Sequence, residues 1–157
     1  HEAGAELWVA DINNEAVDHA VQNYGAHPVD QSIIHAQDVD IYAPCALGAV
    51  INDNPIEQIR AKVICGLANN QLTDPAQGEA LVERGITYVP DYVVNAGGMM
   101  GAGARIFSNP TEDETQIRIL ELYTTISDLL ARADAEKRPT SEIADQMALE
   151  RIAKGSV

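Results

Sequence analysis

Positive charge and long apolar runs are both scarce in this 157-residue sequence. Ten Lys and Arg residues stand against 24 Asp and Glu residues, which gives a formal net charge of −14. A nucleic-acid groove or an anionic membrane surface selects Lys and Arg, so this charge argues against either partner. No apolar run approaches the about 18 residues of a membrane helix, and the first residues do not resemble a signal peptide. We therefore expect a cytoplasmic protein with neither partner.

Cysteine is also rare, and its spacing suits neither a disulfide framework nor a metal site. Cys45 and Cys65 are the two cysteines, each within an apolar run. No second Cys or His lies at the spacing of a metal-ligand pair, so no metal site is predicted. We expect both thiols to be reduced. Because no His lies near Cys45 in sequence, we interpret it as a small core side chain rather than a nucleophile.

Hydrophobic residues make up 46% of the chain, enough for the core of one domain, and they fall in short runs. Five runs predict strands: residues 7–10, 27–29, 39–46, 62–68 and 86–94. Helix signals lie between them: Asn13 or Asn14 as a cap with Gly25 as a stop, helical turns at 30–36, Asn54 with Pro55, and Asp74 with Pro75 before Gly85. Such alternation predicts a doubly wound α/β fold with parallel strands.

The sequence changes character beyond Asn95, where residues 96–104 are rich in Gly, Ala and Met and no further strand is predicted. Thr111 and Glu114 have the spacing of a capping box for a long helix that Pro139 ends. Its apolar stripe consists of Ile119, Leu122, Tyr123, Ile126, Leu129, Leu130 and Ala133. Thr140 or Ser141 is expected to cap a last helix that carries Ile143, Met147 and Ile152.

Small and polar residues follow several predicted strands, at the end where parallel sheets place a ligand crevice. Asp11 follows the first strand; it can hydrogen-bond the ribose of a dinucleotide, or it can simply start a turn. Residues 43–47 (APCAL) and 68–71 (ANNQ) either line a crevice or form ordinary turns. Asn95, with Gly97 and Gly98 after it, can hold a carboxamide or mark a turn.

A glycine-rich phosphate turn of the form G-x-G-x-x-G is absent from these residues. Gly97, Gly98 and Gly101 follow the last predicted strand rather than the first, and their spacing differs from the motif. General acid or base catalysis needs a group within hydrogen-bond reach of the substrate. None of the three lysines is placed for this role: Lys62 lies at a strand start, and Lys137 and Lys154 lie near the ends of terminal helices.

Four ordered blocks resemble the leucine, phenylalanine and valine dehydrogenase branch of the amino-acid dehydrogenases. They are residues 10–13 (ADIN), 40–51 (DIYAPCALGAVI), 68–72 (ANNQL) and 90–98 (PDYVVNAGG). The resemblance extends to Tyr123 and to residues 136–152, so it covers nearly the whole chain. It implies oxidative deamination of a branched-chain or aromatic L-amino acid to its 2-oxo acid and ammonia, with hydride transfer to NAD.

The resemblance also implies roles for individual residues. Asp11 would bind the adenosine ribose, and Ile12 would pack near the adenine. The remaining cofactor contacts would be Ala43, Cys45 and Ala46 along the cofactor, Ala68 and Asn69 near the nicotinamide ribose, and Asn95 at the carboxamide. Family members are oligomers of two-domain subunits, so we expect a homo-oligomer that acts on a small amino-acid substrate.

Several family features have no counterpart here: the first strand, the glycine-rich turn, the substrate domain and its two catalytic lysines. We therefore expect an incomplete Rossmann-like sheet, with a partial dinucleotide-binding domain at 1–110 and a C-terminal helical segment at 111–157. Residues 7–10 and 40–44 are expected to lack the strand that would pair between them. No catalytic residue is assigned, and the chain alone is expected to be inactive.

The substrate and the role of the isolated chain stay open. Met99 and Met100, with Gly101 and Gly103, depart from the sequence usual after the Asn-Ala-Gly-Gly block, so the substrate side chain is not assigned. The alternative to the cofactor portion of a dehydrogenase is a non-catalytic nucleotide-binding or interaction module derived from the same fold.

Overall fold

The computed structural model describes residues 1–98 and 111–155, which form a mixed α/β fold with two small parallel sheets. The elements in chain order are β1 (Trp8–Val9), α1 (Asn14–Tyr24), β2 (His27–Pro28), a 3₁₀ helix (Gln31–Ala36), β3 (Ile41–Tyr42), α2 (Asp53–Ile56), β4 (Val63–Ile64), α3 (Ala76–Glu83), β5 (Thr87–Tyr88), α4 (Asp91–Val94), α5 (Glu112–Glu136) and α6 (Thr140–Ala153). The sequence predicted this alternation of strands and helices. Met99, Met100, Gly101 and Gly103 lie outside the described residues.

All strand pairs are parallel, as predicted. Trp8 lies opposite His27 in the sheet formed by β1 and β2. The second sheet has the order β3-β4-β5, with Tyr42 opposite Ile64 and Ile64 opposite Tyr88. Because parallel strands in register end together, the chain leaves β3, β4 and β5 at one common edge. That edge carries the candidate site.

The two sheets are not joined by hydrogen bonds in the part of the chain that the structure describes. There β1 pairs with β2 alone, and the outer side of β3 has no partner strand. Ile41 of β3 is 59% exposed, although parallel strands are usually buried on both faces. Residues 7–10 and 40–44 are thus not paired with each other in the described residues, and the strand predicted between them stays a prediction.

Several predicted helix boundaries are confirmed by their hydrogen bonds. The side chain of Asn13 accepts a hydrogen bond from the amide of Glu15 at the start of α1, and Gly25 ends that helix with a φ of 64°. At the start of α5 the Thr111 hydroxyl accepts from the Glu114 amide while the Glu114 carboxylate accepts from the Thr111 amide. This reciprocal pair is the capping box that the sequence predicted.

Other boundaries differ from prediction. Residues 91–94 were expected at the end of a strand, but they form α4, because Pro90 ends strand pairing and starts a helical turn. Helix α2 begins at Asp53, so Asn54 lies inside the helix instead of capping it. Neither Thr140 nor Ser141 caps α6, whose cap position is Pro139. The Thr140 hydroxyl instead donates a hydrogen bond to the carbonyl of Tyr88 at 2.5 Å.

The core consists of two hydrophobic clusters. The first packs around β4 and α3 and contains Ile51, Ile56, Ile59, Ala61, Ile64, Leu81, Ile86 and Tyr88. The second joins α5 to α6 and contains Leu129, Ala133, Ile143 and Ala144. The predicted stripes are correct at these positions but wrong at Tyr123 and Ile152, which are 78% and 67% exposed.

No described helix is both long and apolar enough to cross a membrane.

Charged side chains reinforce the contact between α5 and α6. The guanidinium of Arg132 donates two hydrogen bonds to the Glu150 carboxylate, at 3.1 and 3.0 Å, and Gln146 donates a third at 3.0 Å. These bonds lower the pKa of Glu150 from 4.5 to about 2. Because the folded pKa lies below the ordinary value, ionised Glu150 stabilises the fold fully above pH 4.5, and this stabilisation is lost as the pH falls toward 2.

We predict that Glu150→Gln lowers the melting temperature at neutral pH and that the difference from wild type vanishes as the pH approaches about 2. The physical reason is that protonation removes the same charge that the substitution removes. Thermal unfolding followed by circular dichroism between about pH 6 and pH 2 measures this. Glu83→Gln on α3, an exposed glutamate without an ion pair in the described residues, is the matched control. A difference for Glu150→Gln that stays constant with pH would contradict the prediction.

Candidate functional site

The loops that follow β3 and β4 lie directly against each other at the carboxyl edge of the sheet. Gly66 is buried, and a Cβ atom on it would lie 2.5 Å from the nitrogen of Pro44 and closer still to the Pro44 carbonyl oxygen. The amide of Ala68 donates to that carbonyl at 3.0 Å. Further along, a Cβ atom on Gly48 would lie 2.5 Å from the carbonyl oxygen of Asn69. Two glycines therefore allow the two loop backbones to touch.

Asn69 and Asn95 form the polar centre of this edge. The side-chain amide of Asn95, at the end of α4, donates to the Asn69 side-chain carbonyl at 2.7 Å and to the Leu67 backbone carbonyl at 3.3 Å. Within the described residues, Nδ2 of Asn69 and Oδ1 of Asn95 have no hydrogen-bond partner. One free donor and one free acceptor therefore lie side by side, a pattern that matches a carboxamide or a ribose hydroxyl pair.

Two buried side chains hold this loop in place: Gln71, which was named only within the range 68–71, and Asp91, for which no role was predicted. Gln71 is fully buried, and its Nε2 donates to the carbonyls of Gly66 and Ala68 at 2.7 and 2.9 Å. Asp91, 7% exposed, accepts a hydrogen bond from the backbone amide of Asn70 at 2.9 Å. The position of Asp91 directly after Pro90 at a strand end was the available signal, since polar residues there face neighbouring loops.

The other residues predicted to follow β3 and β4 lie at the same edge. Ala43 and Ala46 are exposed, and Ala68 is buried beneath Asn69. Cys45 is exposed, so the interpretation of this residue as a core side chain is wrong. The reason is that pairing of β3 ends at Tyr42, and the chain beyond Pro44 runs along the surface. Small side chains leave this part of the edge open to a flat ligand.

Asp11 and Ile12 lie at the end of β1, in the other sheet. The Asp11 carboxylate accepts a hydrogen bond from the amide of Asn13 at 2.8 Å, and its backbone carbonyl accepts from Gln31 at 3.0 Å. The turn that the sequence analysis kept as an alternative is thus present. Ile12 is 87% exposed. Both residues are exposed at a strand end.

The exposed side chains named at this edge are neutral, and its carboxylate, Asp91, is buried with both oxygens hydrogen-bonded. Burial raises the pKa of the Cys65 thiol, and nearby Cys45 raises it further, so Cys65 stays protonated near neutral pH. Lys62 bonds Asp40 at 3.2 Å at the opposite end of β4, and Lys137 bonds Asp134 at 2.7 Å. Among residues 1–98 and 111–155, no cluster of His, Cys, Asp and Glu could hold a metal ion. The edge is suited to binding.

Comparison with known proteins finds relatives over almost the whole chain. The family model for glutamate/leucine/phenylalanine/valine dehydrogenase matches residues 5–156. A leucine dehydrogenase of Geobacillus stearothermophilus is 45% identical over 152 residues, which are 97% of this chain and 41% of that enzyme. A phenylalanine dehydrogenase of Bacillus thermotolerans is 36% identical over 156 residues, 96% of this chain and 41% of the enzyme.

A solved structure agrees with these relatives. The crystal structure of L-tryptophan dehydrogenase from Nostoc punctiforme superposes with a TM-score of 0.94 at 32% identity, covering 98% of this chain and 46% of that one. The chain thus spans about two fifths of the length of the curated relatives it matches.

We predict that Gly66→Ala destabilises the chain by about 3 kcal/mol, at the upper end of overpacking costs, because the new methyl group meets the Pro44 backbone. Urea unfolding followed by circular dichroism measures the change. Gly98→Ala is the control, since a Cβ atom there has no heavy atom of the described residues within 4 Å. Equal effects of the two substitutions would show that the two loops do not need their close approach.

Proposed function

The chain belongs to the glutamate/leucine/phenylalanine/valine dehydrogenase family, and from this membership we propose that it is the NAD-binding portion of an L-amino-acid dehydrogenase. The reaction is oxidative deamination of a branched-chain or aromatic L-amino acid to its 2-oxo acid and ammonia, with NAD accepting the hydride. The leucine, phenylalanine and tryptophan dehydrogenases named above support this reaction class and leave the amino acid open.

The single observation that carries the proposal is the Asn69–Asn95 pair at the carboxyl edge of the sheet. Its free amide and carbonyl groups fit the nicotinamide carboxamide and the adjoining ribose, both of which are neutral and need one donor and one acceptor. Ala43, Cys45, Ala46 and Ala68 supply the small surfaces along which the cofactor lies. The donor set at this edge therefore suits the nicotinamide half of NAD.

Asp11 and Ile12 are assigned to the adenosine half. Asp11 keeps one carboxylate oxygen without a hydrogen-bond partner among the described residues, and a carboxylate at this position binds ribose hydroxyls. Its negative charge repels a 2′-phosphate, so NAD is favoured over NADP. Ile12 supplies exposed apolar surface for a purine ring.

For these two halves to bind one molecule, the sheets must be parts of one doubly wound sheet. In the order 3-2-1-4-5-6, a further strand lies between the strand corresponding to β1 and the strand corresponding to β3. The unpaired sides of β1 and β3 support this arrangement. Residues 1–110 are then the partial dinucleotide-binding domain, and residues 111–157 are the C-terminal helical segment.

We assign acid–base chemistry at the substrate amino group to parts of the enzyme outside this chain. Lys62 lies at the far end of β4, and Lys137 pairs with Asp134 on α5, so neither reaches the Asn69–Asn95 pair. By itself the chain therefore acts as the alternative predicted from its sequence, a nucleotide-binding module without catalysis. The enzyme containing it is expected to be a homo-oligomer, and the exposed apolar residues Leu120 and Tyr123 of α5 provide surface for such contacts.

We predict that NAD shifts the side-chain amide resonances of Asn69 and Asn95 in ¹⁵N-labelled chain. Without a phosphate turn in the described residues the affinity is weak, with a Kd above about 10 μM. Asn95→Ala should abolish the shift at Asn69, whereas Asn23→Ala should not. Asn23 is the matched control because its side-chain amide also donates to a backbone carbonyl, that of His19 on α1. Unchanged side-chain amide resonances of Asn69 and Asn95 with saturating NAD would contradict the assignment of these two residues to the nicotinamide half of the site.

An absorbance assay at 340 nm for NADH, with leucine, valine, phenylalanine and glutamate as substrates, is the companion measurement. The purified 157-residue chain is expected to form no NADH. Turnover by this chain would overturn the assignment of acid–base chemistry to other parts of the enzyme.

A further inference from the structure

Asp91 is a buried acidic side chain with both carboxylate oxygens in use. Oδ1 accepts a hydrogen bond from the hydroxyl of Tyr88 at 2.9 Å, and Oδ2 accepts one from the backbone amide of Asn70 at 2.9 Å. Only 7% of the residue is exposed. Burying a carboxylate costs free energy unless hydrogen bonds compensate it. Both compensating donors here come from outside α4, so Asp91 links this helix to β5 and to the loop after β4.

The loop residue that Asp91 holds has an unusual backbone conformation. Asn70 has a φ of 54°, in the left-handed region that costs most residues about 1–2 kcal/mol and that asparagine tolerates better than most. Its carbonyl accepts a hydrogen bond from the amide of Ala49 at 2.7 Å, and Ala49 itself has a φ of 58°. Both polar backbone groups of Asn70 are therefore fixed, the amide by Asp91 and the carbonyl by the loop after β3.

The residue before this left-handed position is Asn69. The hydrogen bond from the Asn70 amide to Asp91 fixes the peptide group that joins Asn69 to Asn70, and this restricts the directions open to the Asn69 side chain. In the observed conformation that side chain accepts the 2.7 Å bond from Asn95. Asp91 and Asn95 both belong to the segment that starts at Pro90, so one short segment contacts Asn69 and Asn70 from the same side.

We propose that Asp91 is a positioning residue for the cofactor site: its buried carboxylate holds Asn70 in the left-handed conformation and thereby presents the Asn69 carboxamide to Asn95. Its effect on nicotinamide binding rests on the proposed function, whereas its effect on the Asn69–Asn95 bond does not. Asp91 touches neither substrate nor cofactor in this role.

The Tyr88 hydroxyl is the donor that keeps the other carboxylate oxygen satisfied. Burial, followed by the hydrogen bond to Asp91, raises the pKa of Tyr88, so the hydroxyl remains protonated and donates throughout the neutral range. Tyr88 is in turn held by Thr140, whose hydroxyl donates to the Tyr88 carbonyl. This second contact offers a control, because it is buried and adjacent to Asp91 but does not touch the loop that carries Asn69.

The test compares Asp91→Asn with Thr140→Val in the ¹⁵N-labelled 157-residue chain. Asparagine keeps the shape of Asp91 but must present an NH₂ group to one of its two donors. We expect Asp91→Asn to move the Asn95 side-chain amide resonances toward their free values and to remove their contact with Asn69 in nuclear Overhauser spectra. Thr140→Val is expected to lower stability and to leave both signals in place. An unchanged Asn69–Asn95 contact in folded Asp91→Asn would overturn the proposal.

Cofactor binding provides a second readout that a purely structural role would not move. In titrations with NAD and ADP-ribose, Asp91→Asn is expected to raise the Kd for NAD about tenfold and to change that for ADP-ribose less than about twofold. Equal losses for both ligands would contradict a role confined to the nicotinamide half. If neither ligand perturbs the wild-type chain, the proposed function fails while the Asn69–Asn95 contact still decides the role of Asp91.

Amide hydrogen exchange of the wild-type chain tests the bond between Asp91 and Asn70 without any substitution, and so also applies if Asp91→Asn does not fold. Asn70 is an exposed loop residue, and within the described residues its amide has one hydrogen bond, to Asp91. We expect it to exchange more than about tenfold more slowly than the amide of Asn69, which has no hydrogen bond in the described residues. Equally fast exchange at both positions would show that Asp91 does not hold Asn70.

Discussion

The close approach of two loop backbones at Gly66 and Pro44 is the contact on which the candidate site depends. Parallel pairing of β3 and β4 ends at Tyr42 and Ile64, yet the chains stay together for several more residues because Gly66 has no side chain to separate them. Backbone contact then continues as far as Gly48 and Asn69. Backbone contact on one side and the bond from Asn70 to Asp91 on the other restrict the loop that carries the Asn69 side chain.

The sequence predicted the elements well and the site in part. Apolar runs located all five strands, and cap residues such as Asn13 and Thr111 located helix starts, because these signals act between residues close in sequence. Asn69 was named because it follows a strand; Asn95 was named for the same reason but follows α4, and the hydrogen bond between the two side chains was not predicted. The predictions were wrong at α4, because a proline such as Pro90 can either interrupt a strand or start a helix. They were also wrong at Thr140, whose hydroxyl can either cap a helix or bond a distant carbonyl. Tertiary contacts decide between these uses.

The hydrogen bonds that hold the site in place could not be predicted, because they also depend on tertiary contacts. The position of Asp91 after Pro90 marks it as a polar residue near neighbouring loops, but only the folded chain brings it to Asn70, 21 positions away. The Thr140 hydroxyl reaches Tyr88 across 52 positions. Hydrogen bonds between side chains and backbone groups far apart in sequence follow no periodic pattern, so the sequence does not indicate which groups will pair. They appear once packing of the hydrophobic clusters has fixed the distances between elements.

The distribution of packing explains why the two halves of the proposed cofactor site differ. The nicotinamide half lies on the sheet of β3, β4 and β5, which rests on the first hydrophobic cluster, with Leu81 and Ile64 fully buried. Helix α1, next to Asp11, has no buried residue, and its sheet consists of two paired strands. Since burial of apolar surface supplies most of the folding free energy, the Asn69–Asn95 pair stands on the firmer part of the molecule. Asp11 and Ile12 lie on the part that buries less apolar surface.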